Sequence, residues 1–199
     1  MIVLAGKSKR IAGVKRLAIA PLTYNDSTGT PEWGTVEDIP QFISISSSEE
    51  QENLQWYSND GVEFMASNTS SVEIEIELGY LTNLLRSKLT GATLDAKGVL
   101  VKKSDDVARE YAVLVQKTLL GNESGVLDEV YYRVKFAIPD SEATTKTDSI
   151  EDSPITIVGT AVALADGRIM ASIDSTDAEV DATVLSGWFT SVYTTSEVF

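Results

Sequence analysis

The polar and apolar positions along the chain fall mostly into a period of two. The clearest case is SSVEIEIEL at 70–78, where Val72, Ile74, Ile76 and Leu78 alternate with Glu73, Glu75 and Glu77. Alternate side chains of a strand point to opposite faces, so this segment has one aliphatic face and one carrying three carboxylates. Solvent is the simplest environment for such a face. Strands are also predicted at 14–24 (VKRLAIAPLTY, ending near Pro21), weakly at 41–52, at 98–106 before a polar turn, at 109–120 and at 126–139. In the last of these Tyr132, Val134, Phe136 and Ile138 form one face, against Tyr131, Arg133 and Lys135. Asp60-Gly61 and Asp166-Gly167 are hairpin-turn pairs, the second inside a long hairpin at 154–175.

The period changes once. GYLTNLLRSKLTG at 79–91 sets Leu81, Leu84, Leu85 and Leu89 at helical spacing, a stripe expected in the core. Gly91 suits a C-cap, and Arg86 and Lys88 suit the negative end of the helix dipole. About eight strands and one clear helix predict a mainly β fold: a two-sheet antiparallel sandwich or open barrel with one flanking α-helix. Residues 1–199 read as a single domain, without an internal repeat or a linker between two cores. Residues 25–40 and 140–153 read as long loops, and Trp33 in the first is expected to pack on its own domain or on a neighbour. Residues 176–199 form a C-terminal segment with Trp188 and Phe189, ending as a short helix or an irregular docked stretch.

Charge adds a polarity. The chain of 199 residues has a net charge of −14, which excludes nucleic-acid binding through a broad basic surface. Residues 1–20 nevertheless carry Lys7, Lys9, Arg10, Lys15 and Arg16 and no acid. Residues 1–12 read as a basic N-terminal arm, either solvated or suited to head-to-tail association with an acidic body. The apolar run at 2–5 is too short for a signal peptide and precedes the basic residues, the reverse of the required order. No apolar run approaches membrane-spanning length, so no membrane partner is expected.

Candidate chemistry is sparse. There is no cysteine and no histidine, which removes thiolate nucleophiles, disulfides, zinc clusters and the commonest general base. Neither a P-loop nor a G-x-G-x-x-G is present. Paired carboxylates are numerous enough to arise by chance. A metal site would have to be all oxygen, and IDSTDAEVD at 173–181, with Asp174, Asp177, Glu179 and Asp181, lacks the Gly and Glu of an EF-hand loop. That stretch reads as a turn with solvated acids. No catalytic residue, cofactor or metal is expected.

The order of landmarks carries more. Gly13 to Thr23 (GVKRLAIAPLT) opens the chain, and Tyr57-Ser-Asn-Asp-Gly61 marks a turn. The alternating strand runs into Leu81-Thr82 and Leu89-Thr-Gly91. The strand 109–120, then Val130-Tyr-Tyr-Arg-Val-Lys-Phe136 and Thr144-Thr-Lys-Thr147, follow. Over residues 13 to about 165 this order resembles the major tail proteins of long, non-contractile-tailed phages of Gram-positive bacteria. The resemblance implies a tail tube subunit, a structural virion protein with a β-sandwich flanked by a helix. Its copies would form hexameric rings stacked into a tube that conducts DNA without binding it specifically. The implied partners are other copies and the tail tip, terminator and tape measure proteins, and the implied location is the virion tail, after synthesis in the host cytoplasm. On this reading Glu73, Glu75 and Glu77 face the lumen and repel phosphates. Lys7, Lys9, Arg10, Lys15, Arg16 and Trp33 are then candidates for contacts between rings. The residues also leave open another ring-forming phage part (a tail terminator or decoration protein), or a surface β-sandwich that stacks sugar on Trp33, Trp56 or Trp188. An enzyme is the remotest class.

Overall fold

Apolar residues alternate or run unbroken along most of the chain, and these segments form strands. The computed structural model describes residues 9–58, 61–121, 125–137 and 154–194; side chains of 52–68 lie outside the description. The strands are β1 (Lys9–Tyr24), β2 (Pro31–Trp33), β3 (Glu37–Asp38), β4 (Phe42–Ser58), β5 (Gly61–Leu78), β6 (Thr93–Leu94), β7 (Leu100–Val101), β8 (Glu110–Gly121), β9 (Gly125–Phe136), β10 (Ile155–Val162) and β11 (Met170–Asp174). Two short helices, α1 (Asn83–Thr90) and α2 (Ala182–Gly187), complete the order. The fold is mainly β with two antiparallel sheets and a flanking helix, as the sequence predicts. One sheet has nine strands in the order β2-β1-β8-β9-β10-β5-β4, with β3 on β1 and β11 on β9; the other is the ribbon β6-β7.

The large sheet bends over on itself. Leu17 and Ile19 of β1 and Tyr111, Val113 and Val115 of β8 share one core with Val72, Ile74, Ile76 and Leu78 of β5, several strands away in the sheet order. Leu85 and Leu89 of α1 close this core. The opposite face of β1, β8 and β9 is covered by a second core of Ala18, Leu22, Leu114, Val130, Tyr132, Trp188 and Val192. Burial on both faces explains the unbroken apolar runs Leu17–Ala20 of β1 and Tyr111–Val115 of β8, where neither face meets water.

Helix α1 follows its sequence signals. Thr82 is the N-cap, its side chain accepting from the Leu85 N–H, and Gly91 is a left-handed C-cap at φ 77°. The leucine stripe is narrower than expected: Leu81, Leu85 and Leu89 are buried, while Leu84 is exposed because only one side of this two-turn helix meets the sheet. The C-terminal segment docks as a short helix, with Trp188 buried.

Several expectations need correction. The basic stretch from Lys9 onward is strand, not arm: Lys9 lies opposite Gly121 and Leu17 opposite Val115. Residues 1–8, including Lys7, lie outside the described residues. The loop at 25–40 contains β2 and β3, with Trp33 opposite Leu22 and Asp38 opposite Ala18. The loop at 140–153 lies outside the described residues. The hairpin expected at Asp60-Gly61 is present, β4 and β5 pairing with Ser58 opposite Gly61, while Asn59 and Asp60 lie outside the described residues.

Residues 154–175 do not form a hairpin. The Asp166-Gly167 turn exists, with the Leu164 N–H donating to the Arg168 carbonyl at 2.9 Å and Gly167 at φ 87°. It closes a short excursion, after which the chain continues along the same edge of β9. Strand β10 pairs with Val134–Phe136, and β11 pairs with Leu127–Tyr131. The exchange coincides with a bulge in β9. Tyr111 pairs with Val134 but Val113 pairs with Tyr131, so two residues of β9 oppose one of β8. The bulge also shifts the phase of the strand: Val134 and Phe136 share a core with Tyr131, whereas Tyr132 lies in the other. Continuous alternation across 131–136 is therefore not what the strand adopts.

Gly159 sits at this corner. A Cβ there would lie 2.8 Å from Val134 Cγ1 and 2.9 Å from two ring carbons of Phe136. Gly159→Ala is expected to lower stability by about 1–3 kcal/mol, the usual range for overpacking. Chemical denaturation of the variant checks this, and an unchanged midpoint would show that the corner relaxes freely.

Candidate functional site

The candidate site is the outward face of β4, β5, β10 and the end of β9. Strand β5 keeps its alternation: Val72, Ile74, Ile76 and Leu78 are 0–2% exposed, Glu73 and Glu75 are exposed, and Glu77 is half-buried. Pairing sets what flanks the glutamates. On β4, Ser44, Ser46 and Ser48 lie opposite Glu77, Glu75 and Glu73. On β10, Thr156, Val158 and Thr160 lie opposite the same three. The Ser44 hydroxyl donates to Glu77 Oε2 at 2.8 Å, and the Ser46 hydroxyl reaches Glu75 Oε2 at 3.4 Å. Glu50 extends the acidic column on β4, accepting from the Ser71 hydroxyl at 2.8 Å. Successive glutamates on one face of a strand stand about 6.6–6.8 Å apart. Among the described residues none of these carboxylates has a cation as ion-pair partner. The face can therefore present uncompensated negative charge with neutral hydroxyls beside it.

The acidity stops two strands away. One row in register runs Ser48–Glu73–Thr160–Lys135–Glu110 across β4, β5, β10, β9 and β8. Arg133 forks onto Glu110, Nε at 3.0 Å and Nη2 at 2.9 Å. Lys135 is exposed and has no ion pair among the described residues. The acidic face seen in the sequence thus borders a basic column, which single-strand periodicity does not reveal.

The residues expected to bridge rings are partly engaged within the chain. Lys9 pairs with Asp174 at 3.2 Å and stands 3.9 Å from Asp177. Arg16 forks onto Asp38 at 2.7 and 3.1 Å, and its guanidinium carbon lies 4.4 Å from the centre of the Phe189 ring. Arg10 and Lys15 are exposed on β1. The Trp33 indole donates to the Tyr132 carbonyl at 3.0 Å, with ring centroids 5.7 Å apart. Trp188 is 2% exposed and stacks on Tyr193. Trp188 is too buried to stack on a sugar, Trp33 is half-buried, and the side chain of Trp56 is not described.

In the acidic stretch at 173–181 the carboxylates have local roles. Burial opposes ionisation of Asp174, but the Thr176 hydroxyl and N–H, together with Lys9, outweigh it and hold its carboxyl below the usual range. Asp181 caps α2 by accepting from the Thr183 N–H.

A buried polar cluster was not legible in the sequence. Lys117 Nζ lies 2.8 Å from both oxygens of Glu129, with side-chain exposures of 17% and 10%. The Tyr131 hydroxyl donates to Glu129 at 3.2 Å. Burial pushes the Tyr131 phenol up to about 12, opposed by a hydrogen bond with Ser47 of β4. On the other face of β9, burial raises the Asp128 carboxyl, against a hydrogen bond with Gln116 and the nearby charges of Lys15 and Arg16. Charges inside strands read as outward positions. The only available signal is that Lys117 and Glu129 adjoin runs too apolar for a solvated face.

No family model matches this sequence, and no curated protein matches it. Among the described residues no helix is long and apolar enough to cross a membrane. Among solved structures the chain is similar to the cap of the anti-feeding prophage, a tube-terminating cap determined by cryo-EM. The identity is 12% and the TM-score 0.46, covering 88% of this chain and 100% of that chain. At that level the likeness carries no argument about what this chain does.

Proposed function

We propose that this chain is a structural subunit of a phage-type tail, its copies forming hexameric rings that stack into a DNA-conducting tube. The observation that carries the reading is strand β5, with a buried aliphatic face and an outer column of Glu73, Glu75 and Glu77 lacking cation partners among the described residues. A conduit must not retain DNA, and a column of carboxylates repels phosphates within about 8–10 Å at physiological salt. The edge of the sheet supports the same reading. Strand β4 is 17 residues long, ends the sheet, and contains no proline, lysine or arginine to block pairing. Such an edge is a liability in a monomer and an asset where copies join. The order of sequence landmarks agrees with the tail tube family. The partners on this reading are other copies and the remaining tail proteins, and the role is structural rather than catalytic.

Negative-stain electron microscopy of the purified chain, dilute and concentrated, with and without tail-tip proteins, tests the reading. Hollow tubes with a regular ring repeat are the expected result. The triple variant Glu73→Gln, Glu75→Gln, Glu77→Gln is expected to assemble but to retain DNA passed through or mixed with the tubes. Persistent monomers under every condition would overturn the tube, and a reconstruction with the three glutamates on the outer wall would overturn their role.

A further inference from the structure

Arg133, Lys135, Glu110, Phe136, Thr160 and Val162 line an open groove where β8, β9 and β10 meet. Its chemistry is unlike the rest of the face. Arg133 is held in place by Glu110 through two of its five donors, which leaves a preoriented guanidinium edge. Lys135 lies opposite Glu110 in register and has no ion pair among the described residues. Val162 supplies an apolar wall. One cation without a partner, one fixed guanidinium and an apolar wall together fit a carboxylate on an extended strand.

The same face offers such a carboxylate three strands away, on β4. Glu50 lies on β4, the edge strand, and has no cation partner among the described residues. Within one chain, Thr160 stands between Glu73 and Lys135 in the register, and strand spacing separates their strands by about 9.4–9.8 Å. Each copy thus carries, among the described residues, a carboxylate on the sheet edge and a lysine in the groove that lack ion-pair partners.

We propose that the Arg133–Lys135 groove of one copy receives the edge strand β4 of a second copy, at Glu50. The contact is heterologous, patch to different patch, so it propagates into a ring or filament instead of closing a two-fold dimer. The inference rests on the self-assembly reading above and names its contact. Charge complementarity supports this occupant: exposed Glu50 on the edge strand is opposite in sign to exposed Lys135 in the groove.

The test uses the full chain and three variants: Lys135→Glu, Glu50→Lys, and the two combined. Sedimentation velocity and negative-stain microscopy over a concentration series read assembly, and circular dichroism checks the fold. Each single charge reversal is expected to raise the concentration needed for assembly at least about tenfold, and the double variant to recover most of the loss. Both effects should weaken as salt rises. If the wild type assembles and Lys135→Glu assembles equally well, the groove contact is wrong while the tube reading stands. If the wild type never assembles, both fall. If Lys135→Glu leaves assembly intact but lowers retention of duplex DNA, the groove faces phosphate and the proposed occupant is overturned.

Discussion

Replacing Lys117 with Met is expected to cost the fold about 3–5 kcal/mol, the usual penalty for stranding one member of a buried ion pair. Both oxygens of Glu129 accept from Lys117, and the Glu129 side chain is only 10% exposed. Without the ammonium, Glu129 keeps among the described residues only the Tyr131 hydroxyl, a weak replacement at 3.2 Å. The carboxylate must then protonate, recruit water or force the layers apart. The double replacement Lys117→Met and Glu129→Leu removes both charges and is expected to return to within about 1–2 kcal/mol of the parent, since an apolar pair avoids the desolvation of two ions. Urea unfolding of the parent, the single variant and the double variant measures this contrast. A single variant no weaker than the double would show that the pair is solvated in practice.

The second large effect is expected at Gly91. Its φ of 77° lies in the left-handed region, and a Cβ there would sit 2.2 Å from the Val107 carbonyl oxygen. Gly91→Ala therefore combines about 1–2 kcal/mol of backbone strain with a clash against main chain that has no rotamer to yield. The total is expected to reach about 3 kcal/mol or more. The cap also fixes the end of α1, where the Gly91 N–H donates to the Ser87 carbonyl and the Tyr111 hydroxyl to the Lys88 carbonyl. Gly98 separates the two causes. It has φ 80° but open space where its Cβ would stand, so Gly98→Ala should show the strain alone, about 1–2 kcal/mol. Thermal melts of both variants decide it, and equal shifts would mean that the Val107 segment moves aside.

The elements written clearly in the sequence are those whose environment repeats along the strand or helix. Strand β5 has one face in the core and one outside for eight residues, so its pattern and its outward glutamates were readable. The Gly91 cap was equally local. What escaped depends on partners distant in sequence. The β9 bulge keeps the composition of a regular strand while reversing which residues share a face, and only the pairing with β8 reveals it. Asp166-Gly167 carries a genuine turn signal, but the strands on either side bond to β9 instead of to each other. Lys9 and Arg10 look like a solvated arm because the strand that pairs with them lies about a hundred residues downstream. For the candidate site, the acidic column was legible and its basic neighbour was not, because Lys135 comes into line with Glu73 only through the intervening strand β10.

The pairing of β1 with β8 has a consequence during synthesis. Lys9–Pro21 bonds to Tyr111–Gly121, so this strand emerges from the ribosome long before its partner exists. At about 5–20 residues per second the interval is on the order of 5–20 s. Through that time an apolar strand, Leu17 to Leu22, waits without a sheet, while the β4-β5 hairpin downstream is free to form from local contacts. A nascent chain of this topology therefore presents its most adhesive segment first and shields it late. Its yield in a cell should depend on translation speed and chaperone supply more than its final stability would suggest.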